Sequence, residues 1–197
     1  YIEDPAAEPA VCMVRVPTLS AEGTAIWLYF GNTAAESASN GVATFDFFED
    51  FSSDLSKWNT VGAPTIIDGE CRINTSSTSI LSKDTFGAGT MLRCKRSVTS
   101  VNYSNIGFSP STTLTNNTIY CRIGSSSGYV YSYNSTTNTY TSIGTAYAGG
   151  VDHIFEIRRD AGVQNIFLLD DAAVATHTTN VNSADLSIVV STTTGTP

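Results

Sequence analysis

Charge is the first thing this sequence is short of. Only 14% of its 197 residues are Asp, Glu, Lys or Arg, against about a quarter in an ordinary soluble domain. Ten basic residues face 18 acidic ones, for a formal net charge of −8. Gripping a nucleic-acid backbone or an anionic membrane surface needs clustered cations. The densest run here, "RCKR" at 93–96, falls inside a strand-like stretch, so neither partner fits. Long apolar runs are missing as well. "TAIWLYFG" (24–31) is the longest, well under the roughly 20 residues that span a bilayer. The opening "YIEDPAAEPA" has no apolar core of a signal peptide, and the chain reads as a mature product or a piece of a longer one.

Metal-binding and nucleophile motifs are scarce too. The four cysteines, Cys12, Cys71, Cys94 and Cys121, show no CxxC spacing and have no histidine pair nearby, so zinc is unsupported. Cys71 is in phase with Ile73, Cys94 with Leu92, and Cys121 with Ile119 and Ile123. Each would sit on the apolar face of its own strand, as a small hydrophobe. Buried free thiols are one reading; at least one disulfide is the other, in a chain whose composition suits an extracellular compartment. The two histidines, His153 and His177, have no accompanying Ser or Cys motif, so a catalytic triad is unsupported.

What the chain does have is Ser, Thr and Asn as its polar residues and a 41% hydrophobic content, enough to bury a core. Helical periodicity is nearly absent. "TAAESASNG" (33–41) is the best short candidate, with Asn40-Gly41 as its stop signal. The rest divides into short strands between Gly, Asn, Ser, Thr and Pro. The clearest are 11–16, 24–30, 65–73, 78–82, 90–98, 104–109, 118–123, 128–133, 139–143, 152–159, 163–170, 173–178 and 186–191. Such spacing predicts an all-β, antiparallel sandwich. A boundary near 31–45 separates a partial N-terminal β-segment and linker (1–43) from a larger block (44–197) that opens on "TFDFFEDFSSDLSKW".

Two stretches resemble known families. Residues 14–51, with "V-x-V-P-x-L", "YFGN" and "SASNG" leading into "TFDFFEDF", resemble the C-terminal half of a small uncharacterised β-domain of archaeal and bacterial surface proteins. That domain often precedes a lectin-like module. From about Phe45 onward the order of "FEDF…DLSKW", "IIDGECRI", "IGFS", "HIFEIRRDAGVQNIFLLDDAAVATHT" and "LSIVVST" resembles the concanavalin A-like lectin/glucanase jelly roll, also called laminin-G-like. The resemblance implies two antiparallel sheets, one concave, in a family many of whose members bind or cut polysaccharides. It also implies that both ends are truncated, since relatives usually continue past "TTTGTP" with a "V-D-W-x-R-V" strand. An edge left open could take residues 11–30, from the same chain or from a neighbour by strand exchange.

Retaining glucanases of this fold need two carboxylates about 5–5.5 Å apart, usually supplied by E-x-D-x-x-E on one strand. No such motif occurs here, nor the Q-x-H pairing of the related lyases. Glu156 alternates with Phe155 and Ile157 and reads as solvent-facing or paired with Arg158. Members of this family also often carry calcium; Asp46, Asp50 and Asp54 are the candidate ligands, with Asp170 and Asp171 behind them. Turn capping by the first group, and a hairpin turn at the second, are the simpler readings.

The remaining signal is "GYVYSYNSTTNTY" (128–140), which puts Tyr129, Tyr131 and Tyr133 on one strand face. A hairpin would bring Tyr140 beside them, with Asn134 and Asn138 at the turn. Aromatic rings stack on the C–H faces of sugars while amides read the hydroxyls. Yet Val130, Ser132 and Asn134, on the other phase, make a weaker core face than the tyrosines do. That comparison turns the tyrosines inward and leaves an exposed platform as the alternative. Trp27 and Trp58, each in a dense apolar stretch, read as core. Asn74, Asn102, Asn116 and Asn134 head glycosylation sequons. The sequence thus points to a non-catalytic carbohydrate-binding or adhesion module of an extracellular surface protein. The alternatives are a structural subunit of a surface layer, filament or virion whose copies share strands, and a polysaccharide-cleaving enzyme.

Overall fold

Alternating apolar and polar side chains become thirteen strands and one helical turn in the computed structural model, which describes the chain apart from residues 3–10, 28–31, 33, 35, 74, 76, 99–102, 115, 125–126, 145–149, 161 and 194–197. In chain order these are α1 (Gly41–Thr44), β1 (Trp58–Val61), β2 (Thr65–Ile67), β3 (Glu70–Arg72), β4 (Ser79–Phe86), β5 (Met91–Arg96), β6 (Tyr103–Ser109), β7 (Ile119–Ile123), β8 (Gly128–Asn134), β9 (Thr137–Ser142), β10 (His153–Asp160), β11 (Gln164–Leu169), β12 (Ala172–His177) and β13 (Leu186–Thr193). A seven-stranded sheet runs β1-β4-β13-β6-β7-β8-β9 and a four-stranded sheet β12-β11-β10-β5, with β2-β3 as a separate hairpin. Every pairing is antiparallel. The protein is an all-β jelly-roll sandwich.

The chain folds as two units, Tyr1–Ser52 and Ser53–Pro197. In the first, the Tyr1 ring stands edge-on to Phe45 and Phe48, at 5.6 and 5.1 Å between centroids. Gly41 packs so tightly on Phe48 that a Cβ there would overlap its ring. Asn40 caps α1 from the front, its Oδ1 accepting the Ala43 N–H at 3.0 Å. The Asn-Gly pair therefore starts the helix where the sequence suggested a stop, because Asn serves at either end. Residues 11–16 form no strand beyond an isolated Ile2–Cys12 bridge. Their apolar, valine-rich composition suits a strand, but among the described residues the pairing does not extend beyond Tyr1 and Ile2. Of 24–30, residues 24–27 are irregular and 28–30 lie outside the described residues. Trp27 is 77% exposed, against the expectation of a core residue, whereas Trp58 is buried.

The second unit follows the sequence reading closely from β4 to β13. The expected strand 65–73 is a hairpin instead, reversing at Asp68-Gly69, both with positive φ. β1 has no counterpart among the expected strands. Its four residues gain strand geometry from pairing with β4, some twenty residues on.

The core between the sheets is apolar over most of its area: Ile106, Phe108, Ile119, Ile123, Phe155, Ile157 and Phe167 are all nearly inaccessible. Among the polar features that cross it in the described residues, two stand out. Arg159, 2% exposed, donates to the carbonyls of Phe86 (2.6 Å), Gly87 (3.1 Å), Asn182 (3.2 Å) and Ala184 (2.5 Å), and lies over the Phe108 ring. The other is a chain of hydrogen bonds between the sheets. Ser132 Oγ of β8 accepts from Asn165 Nδ2 at 2.9 Å and meets His177 Nδ1 at 2.9 Å, while His177 Nε2 meets Thr141 Oγ1 at 3.0 Å. Burial pushes the His177 imidazole below its ordinary value of 6.5. With the folded value depressed, the unfolded chain takes up the proton first. Stability is then intact above about pH 6.5 and falls as pH drops through the folded value. Urea midpoints measured across this range should slope downward with acid, and His177→Gln should flatten that slope. An equal slope in both proteins would remove His177 as its source.

Candidate functional site

Ser132 and Val130 are the β8 side chains that meet the four-stranded sheet, so Tyr129, Tyr131 and Tyr133 point the other way. The expectation of partly buried tyrosines holds by accessibility, with Tyr131 buried and Tyr129 and Tyr133 half-buried, but their rings pack on the face away from the four-stranded sheet rather than between the sheets. Ser132 looks like a poor core residue, but its hydroxyl is satisfied inside by Asn165 and His177, and a fully bonded polar group can occupy a core position.

Register assembles the outer face. Tyr131 lies opposite Tyr120 of β7 and Tyr140 of β9; Tyr129 lies opposite Arg122 and Ser142, and Tyr133 opposite Asn138. The next strand adds Gly107 opposite Tyr120 and Asn105 opposite Arg122. A Cβ at Gly107 would strike the Ile119 carbonyl oxygen and the Tyr120 backbone. Only glycine lets β6 and β7 approach this closely beside the Tyr120 ring.

The rings overlap like tiles. Tyr120 and Tyr131 stack at 4.8 Å, Tyr120 and Tyr133 at 6.2 Å, and Tyr131 and Tyr133 at 5.9 Å. Tyr140 meets Tyr131 at 5.9 Å and Tyr129, edge-on, at 6.2 Å. Accessibility grades across them: Tyr120 is 1% exposed, Tyr131 8% and Tyr140 61%, with Tyr129 and Tyr133 between. Burial pushes the phenols of Tyr120 and Tyr131 up, against the nearby Arg122 charge that lowers them. Both stay protonated and able to donate.

The Arg122 guanidinium carbon lies 5.4 Å from the Tyr131 centroid, 5.5 Å from Tyr120 and 5.6 Å from Tyr103. Its Nε donates to Asn105 Oδ1 at 2.9 Å, and Asn105 Nδ2 donates to Ser191 Oγ at 3.2 Å. Asn105 is wholly buried. Sequence reasoning misses Arg122, Asn105, Tyr103 and Tyr120 as site residues. The signal is present in "IYCRI": one phase leads through Cys121 to the core, the other through Tyr120 and Arg122 to the opposite face.

Carboxylates are sparse on this sheet. Its seven strands hold one acidic residue, Asp84 of β4. Glu156 belongs to the other sheet, 4% exposed and clamped by Arg93 (3.0 Å) and Arg158 (2.5 Å). Asp171 adds a 2.6 Å contact to Arg93. Asp170 accepts from the Ile154 N–H at 2.9 Å and pairs with His153 at 2.7 Å, and the two aspartates form the β11–β12 turn with positive φ. As for the other candidate metal ligands, Asp46 pairs with Arg15 at 3.2 Å, Asp50 Oδ1 accepts the Ser52 N–H, and Asp54 Oδ1 accepts the Ser56 N–H. Hydrogen bonds from Ser56 hold the Asp54 carboxyl below its usual range. Among the described residues no three His, Cys, Asp or Glu side chains are grouped to hold a metal ion.

All four cysteines are free. Burial raises the Cys94 thiol to about 11 and the Cys121 thiol to about 12, far from the thiolate a nucleophile needs. Asn116 and Asn134 are exposed; Asn74 and Asn102 lie outside the described residues. No helix among the described residues is long and apolar enough to cross a membrane.

With this geometry in place, comparison with known proteins becomes informative about the fold. Residues 1–61 match the family model described as a domain of unknown function, DUF2341. No curated protein matches the chain. Solved structures do. Apo Crh5 transglycosylase superposes with a TM-score of 0.57 at 14% identity, over 73% of this chain and 67% of that one. A Bacillus licheniformis β-glucanase gives 0.58 at 14%, over 73% and 82%. The carbohydrate-binding module CBM66 from Bacillus subtilis gives 0.56 at 12%, over 73% of this chain and 96% of that one. At such identities the likeness is one of fold alone: an antiparallel jelly roll.

Proposed function

We propose that the sandwich is a non-catalytic carbohydrate-binding module of an extracellular protein, and that the glycan lies across the outer face of the seven-stranded sheet on Tyr140, Tyr129 and Tyr133. The observation that carries this reading is the graded tyrosine layer. Tyr120 and Tyr131 form a rigid base, and Tyr140 stands out from it with most of its ring free, beside the Asn138 amide. Stacking a sugar there needs no reorganisation of the protein, which is where much of the cost of binding otherwise falls. The lack of a second acidic residue on the sheet supports binding over cleavage, since both glycosidase geometries use a carboxylate pair. The fold-neighbour CBM66, a carbohydrate-binding module by name, is spanned almost end to end by the same fold.

The experiment is retention on an array of neutral and acidic oligo- and polysaccharides. Wild type should be retained by at least one glycan, and Tyr140→Ala should lose at least tenfold in affinity, in line with an aromatic anchor worth about 1.5 kcal/mol or more. Its unfolding free energy should stay within the roughly 0.5 kcal/mol typical of surface changes. Unchanged retention in Tyr140→Ala, or turnover of a polysaccharide by the wild type, would overturn the proposal.

A further inference from the structure

Among the described residues, Arg122 carries charge into an aromatic face without a counter-charge. Its Nε is committed to Asn105 Oδ1 at 2.9 Å. Among the described residues, its two terminal amino groups have no hydrogen-bond partner and no carboxylate lies within ion-pair distance. The sheet's one acidic residue, Asp84, is on β4, three strands from β7. At the usual strand spacing that is about 14 Å, beyond the ~8 Å over which charge acts through physiological saline. The guanidinium is also fixed. Asn105, wholly buried, is held by Ser191, and three tyrosine rings surround the guanidinium carbon at 5.4–5.6 Å.

Resting on the reading that this face binds sugar, we infer that Arg122 is a carboxylate subsite and that the preferred ligand is a glycan carrying an acidic sugar. The free edge of a guanidinium presents two parallel N–H groups, the geometry that a carboxylate accepts in bidentate fashion. A neutral sugar hydroxyl would use one of them and leave the charge uncompensated. The tyrosines supply the apolar contact to the ring of the same residue. The protein's net charge of −8 works against dense polyanions at long range. It therefore favours a glycan in which acidic sugars are sparse or terminal over one charged at every residue.

The test is a panel of matched oligosaccharide pairs, each acidic member beside its carboxyl-reduced neutral counterpart. It includes sialyl-lactose for a terminal acid and galacturonate, glucuronate and guluronate oligomers for internal ones. The expected result is that the acidic member of at least one pair binds at least tenfold tighter, a difference that shrinks as salt is added and disappears in Arg122→Gln. Arg122→Lys should recover part of it, and the salt dependence of the wild type answers the question even if a variant folds poorly. Tightest binding to sialyl-lactose would assign a terminal acidic sugar; tightest binding to the oligouronates would assign an internal one. Equal or tighter binding of the neutral members overturns the carboxylate subsite while leaving sugar binding in place. Retention of no member of the panel or of the array overturns both.

Discussion

Arg159→Met should lower the unfolding free energy by about 3–5 kcal/mol, because several buried carbonyls lose their charge-assisted donors at once. Methionine matches much of the arginine volume and keeps an apolar contact with Phe108, so a cavity contributes little. What is lost is the set of N–H donors to the carbonyls of Phe86, Gly87, Asn182 and Ala184. The first two lie where β4 ends and the last two in the loop leading into β13, so a single guanidinium on β10 ties both to the smaller sheet. Each orphaned carbonyl costs about 1–3 kcal/mol if it stays dry; water entering at the part-buried edge keeps the total below their sum. Against a total stability of about 5–15 kcal/mol, the variant would sit near unfolding at physiological temperature. Arg159→Lys should recover little, because one ammonium cannot span carbonyls on two loops. Denaturant midpoints for the three proteins check this, and a methionine variant within about 1 kcal/mol of wild type would show that the carbonyls are satisfied without the guanidinium.

Tyr120→Ala should cost a comparable amount, about 3–5 kcal/mol as for other buried aromatics, and should also abolish glycan retention, although Tyr120 is too covered to touch a ligand. Its ring is the floor under Tyr131 and Tyr133 and one wall around Arg122. Removing it leaves the upper rings free to tilt into the gap. Tyr120→Phe keeps the ring and removes only the hydroxyl, at a cost of about 1 kcal/mol, and should retain binding. Calorimetric unfolding alongside array retention separates the two effects. Full retention by a folded alanine variant would mean that the exposed rings hold their places unaided.

Much of the sandwich is legible in the sequence because its strands obey a period of two over five to eight residues and are separated by Gly, Asn and Asp. β10 to β12 are the clearest case, with Asp170-Asp171 marking the turn. Reading fails where structure depends on a partner distant in sequence. Residues 11–16 are as apolar and β-branched as a strand yet pair, among the described residues, only through the short contact with Tyr1 and Ile2, whereas Trp58–Val61 is too short to signal itself and becomes a strand through β4. The candidate site is half visible. Alternation places Tyr129, Tyr131 and Tyr133 together, and a hairpin brings Tyr140 beside them, but which side faces the core depends on Ser132, Asn165 and His177 meeting across the two sheets. A hydrogen bond between residues 45 positions apart leaves no trace in local periodicity. Judged by hydropathy alone, Ser132 belongs outside; judged by its partners, it belongs inside.

The central claim is that a saccharide lies on the tyrosine layer, and chemical-shift mapping tests it most directly. With isotope-labelled protein titrated with the tightest-binding glycan from the array, the largest shifts should fall on the aromatic ring signals of Tyr129, Tyr133 and Tyr140 and on the Nε–H of Arg122. Amides of β10 to β12 should stay nearly still. Shifts concentrated on the four-stranded sheet around Glu156, with the tyrosine signals unmoved, would contradict the account.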